Sequence, residues 1–209
     1  GYKGIKVYDL ITKGSTNLTD EDAAGFAFKW SADSKSILTR VAKYEDLRRF
    51  NAVKVFNFET KESKQLTDYK TMMPYLPLWA DGDSKIYLPV KGNDEVYSSS
   101  KEKNSRITNN IIVFEKNNKV VIKNLSNNSE QSFEPIKEVQ YINLSLSPDA
   151  AKLVFEVVGG NMFTMNIDGT TLIDLGKGKQ PRWSFDNKKI LYMVAENDVN
   201  DYKESDIYT

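Results

Sequence analysis

The sequence predicts an all-β fold built from repeated units of four antiparallel strands. The first observation behind this prediction is an internal repeat. Lys6–Asp20 reads KVYDLITKGSTNLTD and Lys54–Asp68 reads KVFNFETKESKQLTD; they agree without a gap at 8 of 15 positions and lie 48 residues apart. A self-match at this spacing is typical of arrays in which each repeat is one supersecondary element.

The second observation is a recurring turn motif. A Trp-Ser-x-Asp turn occurs at Trp30–Asp33 and at Trp183–Asp186, the same turn follows a leucine at Leu146–Asp149, and Trp79–Gly82 is a weaker version. A short apolar run follows each turn. We therefore expect the three tryptophans to occupy equivalent buried positions.

The third observation is the chemistry of the runs and of what separates them. Short runs of Val, Ile, Phe and Tyr alternate with polar residues and end at Asp, Asn, Ser or Gly, as antiparallel strands do. Asn117-Asn118, Gly159-Gly160-Asn161 and Asp168-Gly169 predict hairpin ends, because these residues accept positive φ or cap their own turn. Val7 and Val55 are expected on equivalent third strands.

Units of this size and strand number are typical of β-propeller blades. Ser147–Asp149, Trp183–Asp186 and Asn161–Gly169 resemble the Trp-Ser-Pro-Asp-Gly and Tyr-Val-Met-Asn-x-Asp-Gly signatures of the TolB-like β-propeller repeat. The similarity extends from residue 5 to 209 and is strongest from Leu144 onward. It implies a single propeller domain or propeller fragment over residues 1–209, with about four to five blades and room for more in a larger ring.

The repeat is irregular in its second unit and at both ends. Gly82 stands where the other turns have Asp, and residues 91–110 are extra. Residues 5–20 match only the last two strands of a blade, and Asp206–Thr209 matches the beginning of a third strand. The expectation is a fragment of a longer protein.

Composition excludes several functions. The 29 basic and 29 acidic residues cancel, which argues against nucleic-acid binding through a strong positive field. No run of 18 apolar residues is present, so no membrane span is expected. Without cysteine there are no disulfides or thiolate metal sites, and without histidine there is no Ser-His-Asp or Cys-His catalysis and no His-ligated zinc.

Carboxylates and glycines offer weak candidate sites. Glu196–Asp201 places oxygen ligands at alternate positions, but it lacks the Gly and terminal Glu of a calcium loop, so a solvated loop is favoured. Asp20–Asp22 and the pair Asp81 and Asp83 are interpreted as turn residues rather than acid-base groups. Gly176–Lys179 is interpreted as an inter-strand turn rather than a phosphate loop. We expect no catalytic residue, cofactor or metal.

A binding surface is predicted on one rim, where the second strand of each blade connects to the third. Residues 43–50, 91–109 and 196–205 give three long charged connections there, and loops on a rigid scaffold often bind partners. Their candidate contact residues are Tyr44, Arg48, Arg49, Phe50, Tyr97, Asp198, Asp201 and Tyr202. The alternatives are that these connections are tolerated insertions, or that Tyr44 and Phe50 complete the blade core.

The resemblance implies a non-enzymatic protein-binding scaffold of the bacterial cell envelope, periplasmic or otherwise extracytoplasmic, with an envelope- or peptidoglycan-associated protein partner. The alternative is the substrate-gating propeller of a prolyl oligopeptidase-type serine peptidase whose catalytic domain lies outside this chain. Carbohydrate binding through exposed Tyr and Trp is a weaker third hypothesis. Because one fold serves many functions, the sequence predicts the fold better than the activity.

Overall fold

The computed structural model describes residues 3–104, 110–198 and 201–208, and this part of the chain consists of β-strands joined by turns, without a helix. Helices long and apolar enough to cross a membrane are accordingly absent from these ranges. Residues 1–108 and 109–209 form two compact units. All pairing within the five sheets is antiparallel.

Residues 1–108 contain two sheets. The first sheet has the order β1-β2-β4-β5-β6, with β3 also paired to β4; its strands are β1 (Lys3–Tyr8), β2 (Ser15–Asp22), β3 (Lys29–Trp30), β4 (Ser36–Glu45), β5 (Arg48–Asn57) and β6 (Ser63–Gln65). The second sheet has the order β7-β8-β9; its strands are β7 (Leu78–Ala80), β8 (Lys85–Leu88) and β9 (Glu95–Ser98).

Residues 109–209 contain three sheets, and in each the strands pair in chain order. The third sheet consists of β10 (Ile111–Lys116), β11 (Lys119–Asn124) and β12 (Ser129–Phe133). The fourth consists of β13 (Tyr141–Leu146), β14 (Lys152–Val157), β15 (Met162–Asn166) and β16 (Ile173–Gly176). The fifth consists of β17 (Lys179–Trp183), β18 (Ile190–Asp198) and β19 (Asp201–Tyr208).

The internal repeat is also a structural repeat. Val7 pairs with Thr16 in the β1–β2 hairpin, and Val55 pairs with Lys64 at the aligned positions of β5 and β6. The turns match as well, because Asp9 Oδ1 accepts hydrogen bonds from the second and third backbone N–H groups that follow it, at 2.8 and 2.9 Å. Asn57 Oδ1 does the same at 2.8 and 3.0 Å. The prediction of equivalent strands is confirmed.

The Ser-x-Asp turns share one hydrogen-bond pattern. In the first, the Ser31 hydroxyl donates to Asp33 at 2.6 Å, and the Ser36 N–H donates back to Ser31 Oγ at 2.9 Å. The turns that begin at Ser147 and Ser184 repeat both bonds at the same distances. Each turn is therefore closed by its own residues, which is why the motif can be read from the sequence.

The hairpin and inter-strand turns lie where the sequence predicts them. Asn117 and Asn118 both have positive φ, 54° and 58°, between β10 and β11. The pair of glycines at 159 and 160 joins β14 to β15, and Asp168-Gly169 lies between β15 and β16. Gly176 ends β16 with a φ of 79°, just before β17 begins at Lys179. That segment is an inter-strand turn, as interpreted.

The three tryptophans are equivalent in position but less buried than expected. Trp79 Nε1 donates to the carbonyl oxygen of Lys29 at 3.1 Å, and Trp183 Nε1 donates to that of Ser145 at 3.0 Å. Each acceptor precedes the large residue of an earlier turn, Trp30 or Leu146. However, Trp79 and Trp183 are half-buried and Trp30 is 41% exposed. The prediction of buried tryptophans is wrong, because part of each side chain stays accessible to solvent.

The second predicted unit is two separate sheets. The sequence predicts one blade from Trp79 onward, with residues 91–109 as a long connection, but β9 lies inside that connection and pairs with β8. β10 instead pairs with β11, and the two are closed by the tight Asn117-Asn118 turn. The chain thus forms two three-stranded sheets, because β8 pairs with the strand that follows it, β9, and β10 pairs with the strand that follows it, β11.

Each unit has its own apolar core. In residues 1–108, one cluster centres on Ile5, Ile37, Val41 and Phe56, and another on Leu38, Val53, Ile86 and Leu88. In residues 109–209, the core consists of Val113, Val120, Ile122, Tyr141, Leu153, Phe155 and Met165. Complete burial of a side chain of this kind contributes about 1.5 to 3 kcal/mol, so these clusters fix the sheets that carry the exposed residues below.

Candidate functional site

The β4–β5 hairpin is the longest pairing in residues 3–104. Its strands, each of 10 residues, pair without a break from Ser36↔Asn57 to Glu45↔Arg48. Asp46 and Leu47 close it with φ values of 47° and 62°, a two-residue turn whose twist matches that of the strands. The prediction of a long charged loop at 43–50 is therefore wrong, because full cross-strand pairing carries both strands to the tip.

Strand alternation divides the predicted contact residues between two faces. Tyr44 pairs with Arg49 and lies on one face, since residues directly opposite each other share a side. Arg48 and Phe50 lie on the other face. Phe50 is half-buried, with the Lys43 ammonium 5.8 Å from its ring centroid. The side chains of Arg48 and Arg49 therefore lie on opposite faces of β5.

The turn after β2 lies beside the face of the β4–β5 hairpin that carries Tyr44. Ala23 adopts a φ of 63°, and the buried Ala24 accepts a hydrogen bond from the Thr39 hydroxyl to its carbonyl oxygen at 2.6 Å. This bond fixes the turn to β4. It places the Phe26 ring centroid 5.9 Å from Cζ of Arg40, a cation–π arrangement.

Together these elements line an open surface pocket of about 370 Å³. We call it the basic pocket; its lining residues are Lys3, Asp22, Ala23, Phe26, Arg40, Tyr44 and Arg49. Three cationic side chains and one carboxylate give the lining a formal net charge of +2. Two of the predicted residues, Tyr44 and Arg49, thus belong to one site.

Arg40 is the most enclosed charge of the basic pocket. Its Nη1 donates to the carbonyl oxygen of Met73 at 2.7 Å, and its Nε is buried without a hydrogen-bond partner in the described structure. Burial, followed by the positive charge of Arg49, lowers the pKa of the Arg40 guanidinium. An anion in the pocket would offset both effects, since each disfavours the charged form.

Within the part of the chain that the structure describes, Arg49 has one hydrogen-bond partner, and this partner is neutral. Its Nε donates to Oδ1 of Asn51 at 2.9 Å, which leaves the rest of the planar fork available. Neither Arg40 nor Arg49 forms an ion pair with any residue that the structure describes. Two unneutralised guanidinium groups beside aromatic rings are suited to bind a carboxylate or another planar anion.

The remaining predicted contact residues lie elsewhere. Tyr97 is on β9, half-buried against the core of residues 1–108, and its hydroxyl donates to Glu95. Burial, together with this bond, raises the pKa of Tyr97 to about 12. Its placement in a loop is wrong, because Tyr97 pairs with Ile86 within the β8–β9 ladder, whereas its role as a partner contact stays a prediction.

In the fifth sheet the backbone alone is described around the third connection. Asp198 ends β18 and pairs with Asp201, and Asn197 pairs with Tyr202 on β19. The predicted loop 196–205 is thus largely two paired strands. Binding by Asp198, Asp201 and Tyr202 stays a prediction, as does a common rim that includes them.

The first two sheets share one link near their second-to-third connections. Asn51 and Lys70 exchange backbone hydrogen bonds of 2.8 Å, and Lys70 Nζ reaches Glu95 Oε1 at the beginning of β9 at 2.9 Å. The end of the β4–β5 hairpin and the turn that precedes β9 are therefore connected through one lysine.

Three of the carboxylates considered as acid-base groups have structural partners. Glu21 forms an ion pair with Lys54 at 2.8 Å, and Asp81 forms ion pairs with Lys85 and Lys103 at 3.3 and 2.6 Å. Asp83 accepts from the backbone N–H of Ala32 at 2.7 Å, and burial raises its pKa. The described residues contain no group of three or more acidic, His or Cys side chains that could hold a metal.

Sequence reasoning missed Lys3, Phe26 and Arg40. Arg40 has a usable signal: it lies between Leu38 and Ala42 on one face of β4, where a charged residue among apolar neighbours requires a reason. Phe26 and Lys3 gave no such signal, because they reach the pocket through a turn geometry and a strand pairing that involve distant residues.

Comparison with known proteins supports the fold. No protein-family model and no curated protein matches the chain by sequence. Among solved structures, TolB from Acinetobacter baumannii matches with a TM-score of 0.53 and 14% identity over 95% of this chain and 44% of its own. Acylaminoacyl peptidase from Pyrococcus horikoshii matches with a TM-score of 0.55 and 16% identity over 91% of this chain and 38% of its own.

The β-propeller domain of the Trilobed protease from Pyrococcus furiosus also matches, with a TM-score of 0.51 and 14% identity over 91% of this chain and 67% of its own. The chain spans less than half the length of the TolB and peptidase structures. At these identities the likeness concerns the fold. The predicted class, all-β with the antiparallel blades of a propeller, is confirmed.

Proposed function

We propose that this chain is a non-enzymatic protein-binding part of a TolB-like β-propeller in the bacterial cell envelope, and that its partner contacts the tip of the β4–β5 hairpin. The observation that carries the proposal is Leu47. Its side chain is fully exposed, and its φ of 62° lies in the left-handed region. A leucine pays for that conformation with about 1 to 2 kcal/mol, and glycine would avoid the cost.

A strained and exposed apolar residue is expected where a protein touches something else. Backbone strain persists at functional sites because the surrounding structure enforces it. Tyr44, three residues before Leu47, is 58% exposed, and exposed tyrosines contribute strongly to protein interfaces. An apolar residue beside an aromatic one suits a protein surface better than it suits water.

The hairpin presents this tip from a rigid base. Val41 and Ala52 pair with each other midway along it and are fully buried, whereas the residues from Glu45 to Arg49 are exposed. A binding element that is ordered before the partner arrives loses less conformational entropy on association. The hairpin is therefore a suitable arm for docking.

The envelope assignment is supported by the resemblance of the turn and strand signatures to the TolB-like repeat, and by the fold likeness to TolB from Acinetobacter baumannii. The absence of cysteine is compatible with an extracytoplasmic compartment. A non-catalytic role is supported by the absence of histidine and by the structural partners of Glu21, Asp81 and Asp83.

The test is a quantitative pull-down from bacterial envelope extract with the full chain as bait. The wild type should enrich a specific protein, and Leu47→Gly should reduce its recovery at least fivefold without loss of fold. The matched control is Ile11→Gly, because Ile11 is also a turn residue, 92% exposed, at the far end of the β1–β2 hairpin from Lys3. Equal recovery by wild type and Leu47→Gly, or equal loss in both variants, would contradict the proposal.

A second function is favoured by one observation, the fold likeness to acylaminoacyl peptidase from Pyrococcus horikoshii. On that alternative the chain is part of a substrate-gating propeller, and its open reading frame encodes an α/β-hydrolase domain with a Gly-x-Ser-x-Gly elbow. Sequencing of the complete reading frame distinguishes the two, since the binding scaffold requires no such domain.

A further inference from the structure

We propose that the basic pocket binds the carboxylate of an acidic side chain in a peptide segment, with Arg40 and Arg49 as its two donors. This inference rests on the proposed function, because it identifies the chemistry of the partner segment that docks beside the hairpin tip. It concerns different residues from Leu47, so the two can be tested separately.

The first argument is the state of the two guanidinium groups. Arg40 is half-buried, its Nε is buried without a partner, and its Nη1 is committed to the Met73 carbonyl. Among the described residues, Arg49 has one hydrogen-bond acceptor, Oδ1 of Asn51. Charged donors of this kind form their strongest hydrogen bonds with carboxylate oxygens.

The second argument is the geometry of the donors. Arginine presents its N–H groups as a planar fork that matches the two oxygens of a carboxylate. The pocket contains two such forks, and Arg49 lowers the pKa of Arg40 through like-charge repulsion. One carboxylate between them accepts hydrogen bonds from both guanidinium groups and reduces that repulsion at the same time.

The third argument favours a peptide over a sugar acid. Phe26 and Tyr44 supply aromatic walls, and the fully exposed Leu47 follows Tyr44 at the hairpin tip. A sugar acid would surround its carboxylate with hydroxyl groups, which need polar partners. A peptide instead offers aliphatic neighbours on either side of the acid. A volume of about 370 Å³ is at the small end for ligand sites and suits one or two side chains.

One lining residue opposes an anion. Asp22 is exposed and its backbone pairs with both Lys3 and Ala42 at the edge of β2, so its carboxylate lies at the pocket margin. This charge reduces the positive field that an acidic ligand meets. Removing it without a change of shape should strengthen binding, a gain of function that loss of folding cannot imitate.

The experiment is isothermal titration calorimetry on the full chain at low ionic strength. The probe is the capped pentapeptide acetyl-Ser-Leu-Glu-Leu-Ser-amide, and the matched peptide has Gln in place of Glu. We expect the Glu peptide to bind at least tenfold more tightly than the Gln peptide. Asp22→Asn should tighten binding of the Glu peptide two- to fivefold.

The variants separate the pocket from general surface charge. Arg49→Gln should weaken binding of the Glu peptide at least tenfold, whereas Arg48→Gln, on the opposite face of the same strand, should change it less than twofold. Arg40→Gln should abolish the preference for Glu; because Arg40 also contacts Met73, circular dichroism must first show that this variant is folded. Arg49→Gln and Asp22→Asn carry the test if it is not.

Several outcomes would overturn the inference. These are equal affinity for the two peptides, equal effects of Arg48→Gln and Arg49→Gln, or tight binding of trigalacturonate in place of the peptide, which would assign the pocket to a sugar acid. The proposed function fails separately. If the Glu peptide binds as expected while Leu47→Gly leaves partner recovery unchanged, the pocket stands and the hairpin tip is not the docking site.

Discussion

Trp79 donates its indole N–H to the carbonyl oxygen of Lys29 at 3.1 Å, and this bond joins β7 of the second sheet to β3 of the first. Trp183 makes the same bond to Ser145 at 3.0 Å. We expect Trp183→Phe to lower the free energy of unfolding by about 1 kcal/mol, the usual net value of one hydrogen bond. Urea denaturation followed by circular dichroism measures it.

The exposure of Trp183 also sets the expected cost of replacing it by alanine. Replacement of a fully buried tryptophan by alanine lowers the free energy of unfolding by about 3 to 5 kcal/mol. Because Trp183 is half-buried, we expect Trp183→Ala to lose about 2 kcal/mol instead. Trp30→Phe is the control, since Trp30 is 41% exposed and should change stability by less than about 0.5 kcal/mol. If Trp30→Phe and Trp183→Ala lowered the free energy of unfolding equally, the greater burial of Trp183 would be contradicted.

Asp33 predicts a pH dependence of stability. Burial alone would raise the pKa of its carboxyl, but hydrogen bonds from Lys101, Ser31 and the backbone of Lys35 lower it from 3.8 to about 2. The folded state therefore favours the charged form. Its stabilisation is fully present above about pH 4 and is lost as the pH falls through 2, and solvent screening limits it to about 1 kcal/mol.

Denaturation of wild type and Asp33→Asn from pH 6 to pH 2 checks the sign. The wild type should be the more stable protein at pH 6, and the difference between the two should shrink toward pH 2. A difference that grows as the pH falls would show that the carboxyl has a raised pKa in the folded state.

Substitution of Gly178 by alanine is expected to cause a steric clash. A Cβ at this position would overlap Met162 Cε and lie 2.6 Å from Cδ2 of Tyr192. The methionine tip can move but the ring is less free, so Gly178→Ala should cost about 1 to 2 kcal/mol. Gly14→Ala is the control, because its Cβ would meet only Thr12 Oγ1, at 3.4 Å. Thermal unfolding of both variants should show a clear loss for Gly178→Ala alone.

We expect Leu47→Gly to raise the free energy of unfolding while it weakens partner binding. Leu47→Gly relieves a left-handed leucine and should raise the free energy of unfolding by about 0.5 to 1 kcal/mol, after allowance for the greater freedom of glycine in the unfolded chain. Asp46→Gly should gain less, because aspartate tolerates a φ of 47°. Chemical denaturation of both variants measures this, and a destabilised Leu47→Gly would mean that the leucine has packing partners.

Local features of this fold could be predicted from the sequence, and non-local choices could not. The Ser31–Asp33 turn and the Asp9 and Asn57 turns form hydrogen bonds within five residues, so their sequences determine them. Whether β8 pairs with β9 or with β10 depends on which of these two later strands forms the better ladder with it, and the local pattern does not decide this. The sequence pattern is compatible with both, which is why it predicts the second unit incorrectly.

The site shows the same division. Tyr44 and Arg49 were predicted as exposed contact residues, and they lie on one face because they are cross-strand partners. The burial of Arg40 depends on the turn of Ala23 and Phe26, which is fixed by the Thr39 hydroxyl 15 positions beyond Ala24. No local pattern encodes that contact, so the pocket became visible only in three dimensions.

The self-contained Ser-x-Asp turns also bear on how such a chain can change over generations. Ser147 and Asp149 close their corner with hydrogen bonds to residues no more than five positions away, and one further bond, from the Asp149 N–H to Asn187 Oδ1, reaches 38 positions along the chain, so most of the corner is encoded locally. Duplication of one unit then copies a finished corner with it. Sheets can therefore diverge in exposed hairpins while most of each corner is inherited unchanged.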